Sequence, residues 1–409
     1  MSPPGILVDA VRRDYPADNE FDFDDLPAGK VKISLRQQYK DLDRPAVVPG
    51  AKIDWVPSRA EYLERIARRL KQGIPHATIP DKFPKFVSSA ACWSFDSLNI
   101  SKNEICPGTF PLPSLKPLLD SVAEEVHLGQ GIGILRGLDP SKYSFEDNIL
   151  IYAGIASYVG STRGTQDKDG NVLVHIRNVG ADVAPDDQRQ SPYANNAQPF
   201  HNDLGDIIAL YCIDRALTGG TSRVASTSKV YNELAGARPD LIQEMVKGDW
   251  VFDKHDDTGA YYKRPILFHD VESRRVFFCF SRRQLTGSVV SPRPAHFPPL
   301  REAQAEALDA VHFTAEKHAL DIQLEKGDIQ FLNNLALFHA REAFQDGDDS
   351  RQRHLVRMWL RNEDLAWKTP DELQLPWEHI YGRAREPVWH MSPNHGRAHV
   401  INGRESCHG

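Results

Sequence analysis

In the stretch Pro199-Phe200-His201-Asn202-Asp203-Leu204-Gly205-Asp206, an imidazole and a carboxylate stand two residues apart. In an extended segment alternate residues share a face, so His201 and Asp203 converge on one point. One histidine and one carboxylate make two thirds of the 2-His-1-carboxylate arrangement that holds Fe(II) and leaves positions open for O2 and a co-substrate. Alone the pair is a weak signal, because a histidine on a strand is more often a satisfied polar residue than a ligand. The apolar run 207–212 that follows is rich in β-branched residues and reads as a buried strand, with His201 and Asp203 just before or at its start.

Two later stretches bear on the same chemistry. The segment 327–341 runs from Gly327-Asp328 through Asn333-Asn334 to His339-Ala340-Arg341; by itself His339 reads as a capped or hydrogen-bonded histidine. In the segment 351–360, a strand places Arg353, Leu355, Arg357 and Trp359 on one face and His354, Val356, Met358 and Leu360 on the other. Both faces carry large apolar groups, so this strand is expected to be buried on both sides. Two guanidiniums on one buried face are costly unless they meet anions. Either nearby acids such as Asp346 or Asp348 supply these, or a ligand carboxylate does, matched bidentately by arginine's fork.

The rest of the chain must position these groups. Its 409 residues, 41% hydrophobic and 26% charged, suffice for one large domain or two with a sizeable core. The net charge is −7 and no block of Lys or Arg stands out, which argues against nucleic acid or an anionic membrane surface as partner. The first 20 residues show no secretory h-region, and no apolar run approaches the ~20 residues of a membrane-spanning helix. The five cysteines, Cys92, Cys106, Cys212, Cys279 and Cys407, are scattered and odd in number. They fit a reducing, cytoplasmic setting without a disulfide framework.

Residues 1–50 read as an extended arm. A helix is expected from Ser58 to about residue 72, with Ser58 and Glu61 as a capping box. Further helices are expected over 117–128, 145–159 (amphipathic), 228–234, 239–246 and 301–320, the last turning Ala307, Leu308, Val311 and Ala315 inward. Strands are expected over 131–137, 172–179, 276–280, 329–332, 335–339 and 354–360, with a Gly219-Gly220 turn before a short strand near 222–226. The polar loop 181–198, Asp-, Gln- and Asn-rich, suits a substrate lid. Short strands without regular βα alternation favour an antiparallel sandwich or barrel with helical decoration.

The HND at 201–203, the GGTS at 219–222, the GDxxFxNNxxxxHAR at 327–341 and the RHLVR at 353–357 resemble the TauD/TfdA-like Fe(II)/2-oxoglutarate-dependent dioxygenases, above all their fungal branch. The likeness covers roughly 130–362. It implies a mainly β fold with flanking helices around a double-stranded β-helix (jelly roll). It also implies His201, Asp203 and His339 as iron ligands and Arg353 at the distal carboxylate of 2-oxoglutarate. Thr221 or Ser222 would assist Arg353, and Arg357 would lie near the metal, touching the 1-carboxylate or an acidic substrate group. In the taurine enzyme an asparagine shortly before the first iron histidine contacts the substrate amine; here the region reads Asn195-Asn196-Ala197-Gln198, and no single residue takes that register, so taurine is not implied.

Together these readings lead us to expect one structural domain, with residues 1–130 as arm and helical elements packed on a core of 131–362, and 363–409 as a C-terminal extension. The expected activity consumes O2 and 2-oxoglutarate at Fe(II), releases succinate and CO2, and oxidises a small organic molecule, with a carboxylate or amino-acid-like compound of secondary metabolism as the leading class. A homo-oligomer is compatible with this reading. A hydrolase or isomerase using the same ligands without a co-substrate leaves the arginine pair unexplained, and a non-catalytic jelly-roll binding protein leaves the intact triad unexplained.

Overall fold

The computed structural model describes residues 101–393, apart from 168, 254–258, 271–272, 274, 289, 291, 348–351 and 383–385, together with the backbone of His76–Thr78. The expected arm over 1–50 and the helix from Ser58 lie outside the described residues. The strands are β1 His76–Thr78, β2 Ile132–Arg136, β3 Thr162–Gly164, β4 Val174–Ile176, β5 Gln198–His201, β6 Ile207–Asp214, β7 Thr218–Gly219, β8 Ser222–Ser226, β9 Trp250–Asp253, β10 Tyr261–Arg264, β11 Leu267–Asp270 and β12 Arg275–Phe278. They continue with β13 Leu320–Ile322, β14 Ile329–Asn333, β15 Leu337–Arg341, β16 Phe344–Gln345 and β17 His354–Arg361.

Two sheets dominate. The larger has the order β1-β2-β14-β6-β17-β3, with β4 also paired to β17; β1 and β2 are parallel, and its other pairings are antiparallel. The smaller has the order β13-β8-β15-β5 and is antiparallel throughout. Alternation along the strands sorts their side chains. On β6, Ile208, Leu210 and Cys212 pack in one cluster with Val224 and Leu337 of the smaller sheet. Ile207, Ala209 and Tyr211 pack on the other side, against residues of the helix Phe145–Ala156. The strand β17 behaves likewise: Leu355 and Trp359 join the inter-sheet cluster, while Val356, Met358 and Leu360 meet the helix. Both faces of β17 are buried, as its residue pattern predicts.

The helix Phe145–Ala156 departs from expectation. Its apolar residues predict one wet face, yet Asn148 through Ala156 are all buried. One side lies on the larger sheet. The other is covered by 105–115: Ile105, Phe110 and Leu112 join the same core, and Leu112 N–H donates to the Tyr158 hydroxyl at 2.7 Å. Gly154 permits the approach, since a Cβ there would lie 2.3 Å from the Phe110 ring. Each large side chain buried in this way contributes roughly 1.5–3 kcal/mol. The back of the smaller sheet is covered by the helices Thr227–Ala237, Pro239–Met245 and Glu302–Lys317.

Candidate active site

The stretch 199–212 is not a single strand. Its first part, β5, belongs to the smaller sheet, and β6 belongs to the larger. Residues 202–206 carry the chain from one to the other. His201 therefore ends a strand, and Asp203 lies in the crossing. The two side chains still converge, because the crossing passes in front of β15, where His339 pairs in register with His201.

One ligand atom from each of His201, Asp203 and His339 lies within 4.8 Å of the other two. Asp203 Oδ1 is 3.5 Å from His201 Nε2 and 3.9 Å from His339 Nε2. His201 Nδ1 is 2.7 Å from the Pro199 carbonyl. That contact requires the proton on Nδ1 and leaves the Nε2 lone pair facing Asp203, the orientation a metal-bound imidazole needs. The Asp203 carboxylate is fully buried, and its second oxygen accepts from Arg357 Nη1 at 2.7 Å and Trp359 Nε1 at 3.1 Å. One carboxylate oxygen is thus held from behind while the other faces the two imidazoles.

The crossing is stapled by Asn334, from the Asn-Asn pair of the second motif. Its carboxamide accepts from Asp203 N–H at 2.9 Å and donates to the carbonyls of Asp203 and Gly205 at 2.6 and 2.9 Å. Asn202 returns the contact, donating to the carbonyls of Asn334 and Leu337. Further on, Asp206 accepts from Trp377 Nε1 at 3.0 Å and Arg361 Nη1 at 2.7 Å, and its N–H donates to the Tyr381 hydroxyl at 2.9 Å. Trp377 and Tyr381 lie on the helix Asp371–Tyr381, inside the expected C-terminal extension. Burial pushes the Asp206 carboxyl up, and the Arg361 guanidinium opposes it.

Arg353 and Arg357 occupy different places. Arg353 lines a cavity of about 310 Å³ together with Cys212, Gly219, Gly220, Thr221, Gln323 and Leu355. Its side chain is buried, burial pulls its pKa down to about 10, and Nη1 meets no hydrogen-bond partner among the described residues. The expected partner Asp346 accepts from the Arg353 backbone N–H at 2.7 Å, and its charge also acts on the guanidinium. Asp348 lies outside the described residues. Of the two candidate hydroxyls, Thr221 lines the Arg353 cavity and its Oγ1 accepts from Gln323 at 2.7 Å, whereas Ser222 Oγ donates to Gln330 at 3.4 Å. Arg357 stands behind Asp203, with Nε donating to Gln166 at 2.7 Å. Its Nη1 is engaged by the Asp203 carboxylate.

Sequence reasoning missed Gln166, Asn334, Trp359 and the helix Asp371–Tyr381 as supports of the site. The Asn-Asn pair and the shared face of Arg357 and Trp359 were the available signals; Gln166 offered none. The loop 181–198 is also better anchored than its polar composition suggests: Tyr193 is buried with Ala184 against Val179 and Val183.

The family model for taurine catabolism dioxygenase TauD, TfdA family, matches residues 98–359. The chain belongs to this family. The "Taurine hydroxylase-like protein SAT17" of Stachybotrys chartarum is 35% identical over 315 residues, 75% of this chain and 81% of that protein. The "FR-33289 synthase" of Streptomyces rubellomurinus is 24% identical over 261 residues, 62% of this chain and 76% of that protein. The non-heme iron oxygenase OrfP, solved with Fe, succinate and (3R,4R)-dihydroxy-L-Arg, shares the fold at a TM-score of 0.52 and 13% identity, over 77% of this chain and 99% of that one. The protein is an Fe(II)- and 2-oxoglutarate-dependent dioxygenase, and its larger architecture is β sheet with helices. Among the described residues no helix is long and apolar enough to cross a membrane.

Proposed function

We propose that the protein hydroxylates a small carboxylate or amino-acid-like compound of secondary metabolism, with iron held by His201, Asp203 and His339 between the sheets of a jelly roll. The reading rests on one observation: two imidazole nitrogens and one carboxylate oxygen face a common point, with the second carboxylate oxygen already engaged. Two nitrogens and one oxygen suit Fe(II) and leave coordination positions for a co-substrate and O2. The iron, when bound, supplies the O2 chemistry that couples decarboxylation of 2-oxoglutarate to substrate oxidation.

The chain's own residues bind, orient and exclude water. Arg353 takes the distal carboxylate of 2-oxoglutarate, with Thr221 beside it in the same cavity. Arg357 and Trp359 fix the plane of the Asp203 carboxylate. The substrate class draws support from the solved relative with a hydroxylated arginine bound. We further place the enzyme in the cytoplasm, on its scattered cysteines, and read 131–362 as the catalytic core of one domain. The test is succinate release from 2-oxoglutarate with Fe(II) and ascorbate across a panel of amino acids and small carboxylates. Substrate-stimulated succinate formation with a matching hydroxylated product is expected. Product formation that does not require 2-oxoglutarate overturns the reading.

A further inference from the structure

Arg341 is two residues from His339 on β15, and its side chain is buried. Residues two apart on a strand share a face, so Arg341 projects between the sheets on the same side as His339, level with Ser222 on one neighbouring strand and Gln198 on the other. Its Nη2 donates to the carbonyl of Ala194 at 2.9 Å and also to that of Asn196. Nε and Nη1 are buried and have no hydrogen-bond partner among the described residues. Among the described residues no carboxylate forms an ion pair with Arg341 or with Arg353. Both guanidiniums lie against the Phe344 ring, 5.0 and 5.1 Å from its centre. Burial, and then the Arg353 charge, hold the Arg341 guanidinium well below its ordinary pKa.

Two buried cations therefore lie against one ring, each with donors that meet no partner among the described residues, where the half-buried Asp346 is the one acid acting on both. A lone buried charge is expensive, and an anion with hydrogen-bond acceptors relieves it. We propose that Arg341 is a second arm of the co-substrate site, sharing the distal carboxylate of 2-oxoglutarate with Arg353 while its Nη2 holds the main chain at Ala194 and Asn196. Binding of that carboxylate then stiffens the end of the 181–198 loop, because the guanidinium that grips the loop is itself fixed. The inference rests on the assignment of Arg353 above and adds a residue and a coupling to it.

The test compares 2-oxoglutarate with 2-oxopentanoate, which keeps the 2-oxo acid and lacks the distal carboxylate. Calorimetry on the anaerobic Fe(II)-loaded protein gives both affinities for wild type, Arg341→Lys, Arg341→Gln and Arg353→Gln. Arg341→Gln is expected to weaken 2-oxoglutarate at least about tenfold and to leave 2-oxopentanoate within about twofold, with Arg341→Lys between. Equal weakening of both acids means a purely structural role and overturns the proposal. Unchanged 2-oxoglutarate binding in Arg341→Gln alongside a loss in Arg353→Gln overturns it too, and leaves the function standing. Unchanged binding in both variants removes the Arg353 assignment as well. Hydrogen exchange on the wild type needs no substitution: amides 194–198 should slow with 2-oxoglutarate and not with 2-oxopentanoate, and equal protection by both acids refutes the coupling.

Discussion

Arg357 Nη1 donates to Asp203 Oδ2 across 2.7 Å, with both side chains buried. The ion pair engages Oδ2 and leaves Oδ1 facing His201 and His339. Outer partners of metal ligands typically govern affinity by about 10–100-fold. Arg357→Gln is therefore expected to weaken Fe(II) binding by roughly that factor while 2-oxoglutarate affinity at fixed metal saturation changes little. Metal titration of the variant, followed by co-substrate titration at saturating Fe(II), checks both halves.

The proposed metal ligands make the plainest test. Asp203→Ala leaves both histidines and removes the carboxylate, and it should abolish iron retention and succinate formation together. His201→Ala and His339→Ala should do the same. Iron content of the purified proteins, read beside succinate release, decides; a variant that keeps both excludes its residue from the ligand set.

Arg353→Lys keeps the charge and loses the fork. Breaking one side of a buried charged contact costs ~3–5 kcal/mol, and lysine recovers part. The apparent affinity for 2-oxoglutarate should fall at least about tenfold, or ~1.4 kcal/mol, with iron binding intact. A co-substrate titration with unaltered half-saturation would move the anchor away from Arg353.

Gly220 offers a steric route to the same residue. Its φ is +72°, and a Cβ there would lie 3.0 Å from Arg353 Nε and 3.2 Å from Phe344 Cβ. Gly220→Ala should cost about 1–3 kcal/mol in strain and displace Arg353, weakening 2-oxoglutarate. Gly180→Ala is the control: its φ is +79° but nothing lies within 4 Å of the added carbon. It should share the backbone cost and spare the co-substrate, as denaturant melts and titrations of both variants would show.

Two buried histidines predict acid sensitivity. Burial holds His175 down to about 4. Burial, then the charges of Arg282 and Arg223, hold His312 down to about 3. A histidine depressed in the fold takes up its proton first in the unfolded chain, so stability is full above the unfolded value near ~6.5 and falls as pH drops toward the folded values. At pH 5 each contributes a loss of up to about 2 kcal/mol. Urea melts at pH 7 and pH 5 should show it, with a smaller difference in His312→Gln.

The donors were legible because alternation fixes side-chain direction over short distances. His201 and Asp203 are neighbours in the chain, and the apolar texture around His339, Arg353 and Arg357 marks strands whose inner faces can be counted. The crossing between sheets at 202–206 was not legible, since no local signal distinguishes a strand that continues from one that changes partner. The burial of Phe145–Ala156 on all sides depends on a covering segment, 105–115, without periodicity of its own. The role of Arg357 turned on a distance to Asp203, 154 residues away in the chain, which no spacing rule supplies.

The helix Asp371–Tyr381 gives the enzyme an order of assembly. Asp206, three residues beyond Asp203, is held by Trp377 and Tyr381, which follow it by 171 and 175 residues. During synthesis the chain emerges N-terminus first, so His201 and Asp203 leave the ribosome long before the side chains that lock their loop. A chain that stops before residue 377 therefore carries His201, Asp203 and His339 with the Asn334, Arg357 and Trp359 contacts to Asp203, and lacks the Trp377 and Tyr381 contacts that hold Asp206.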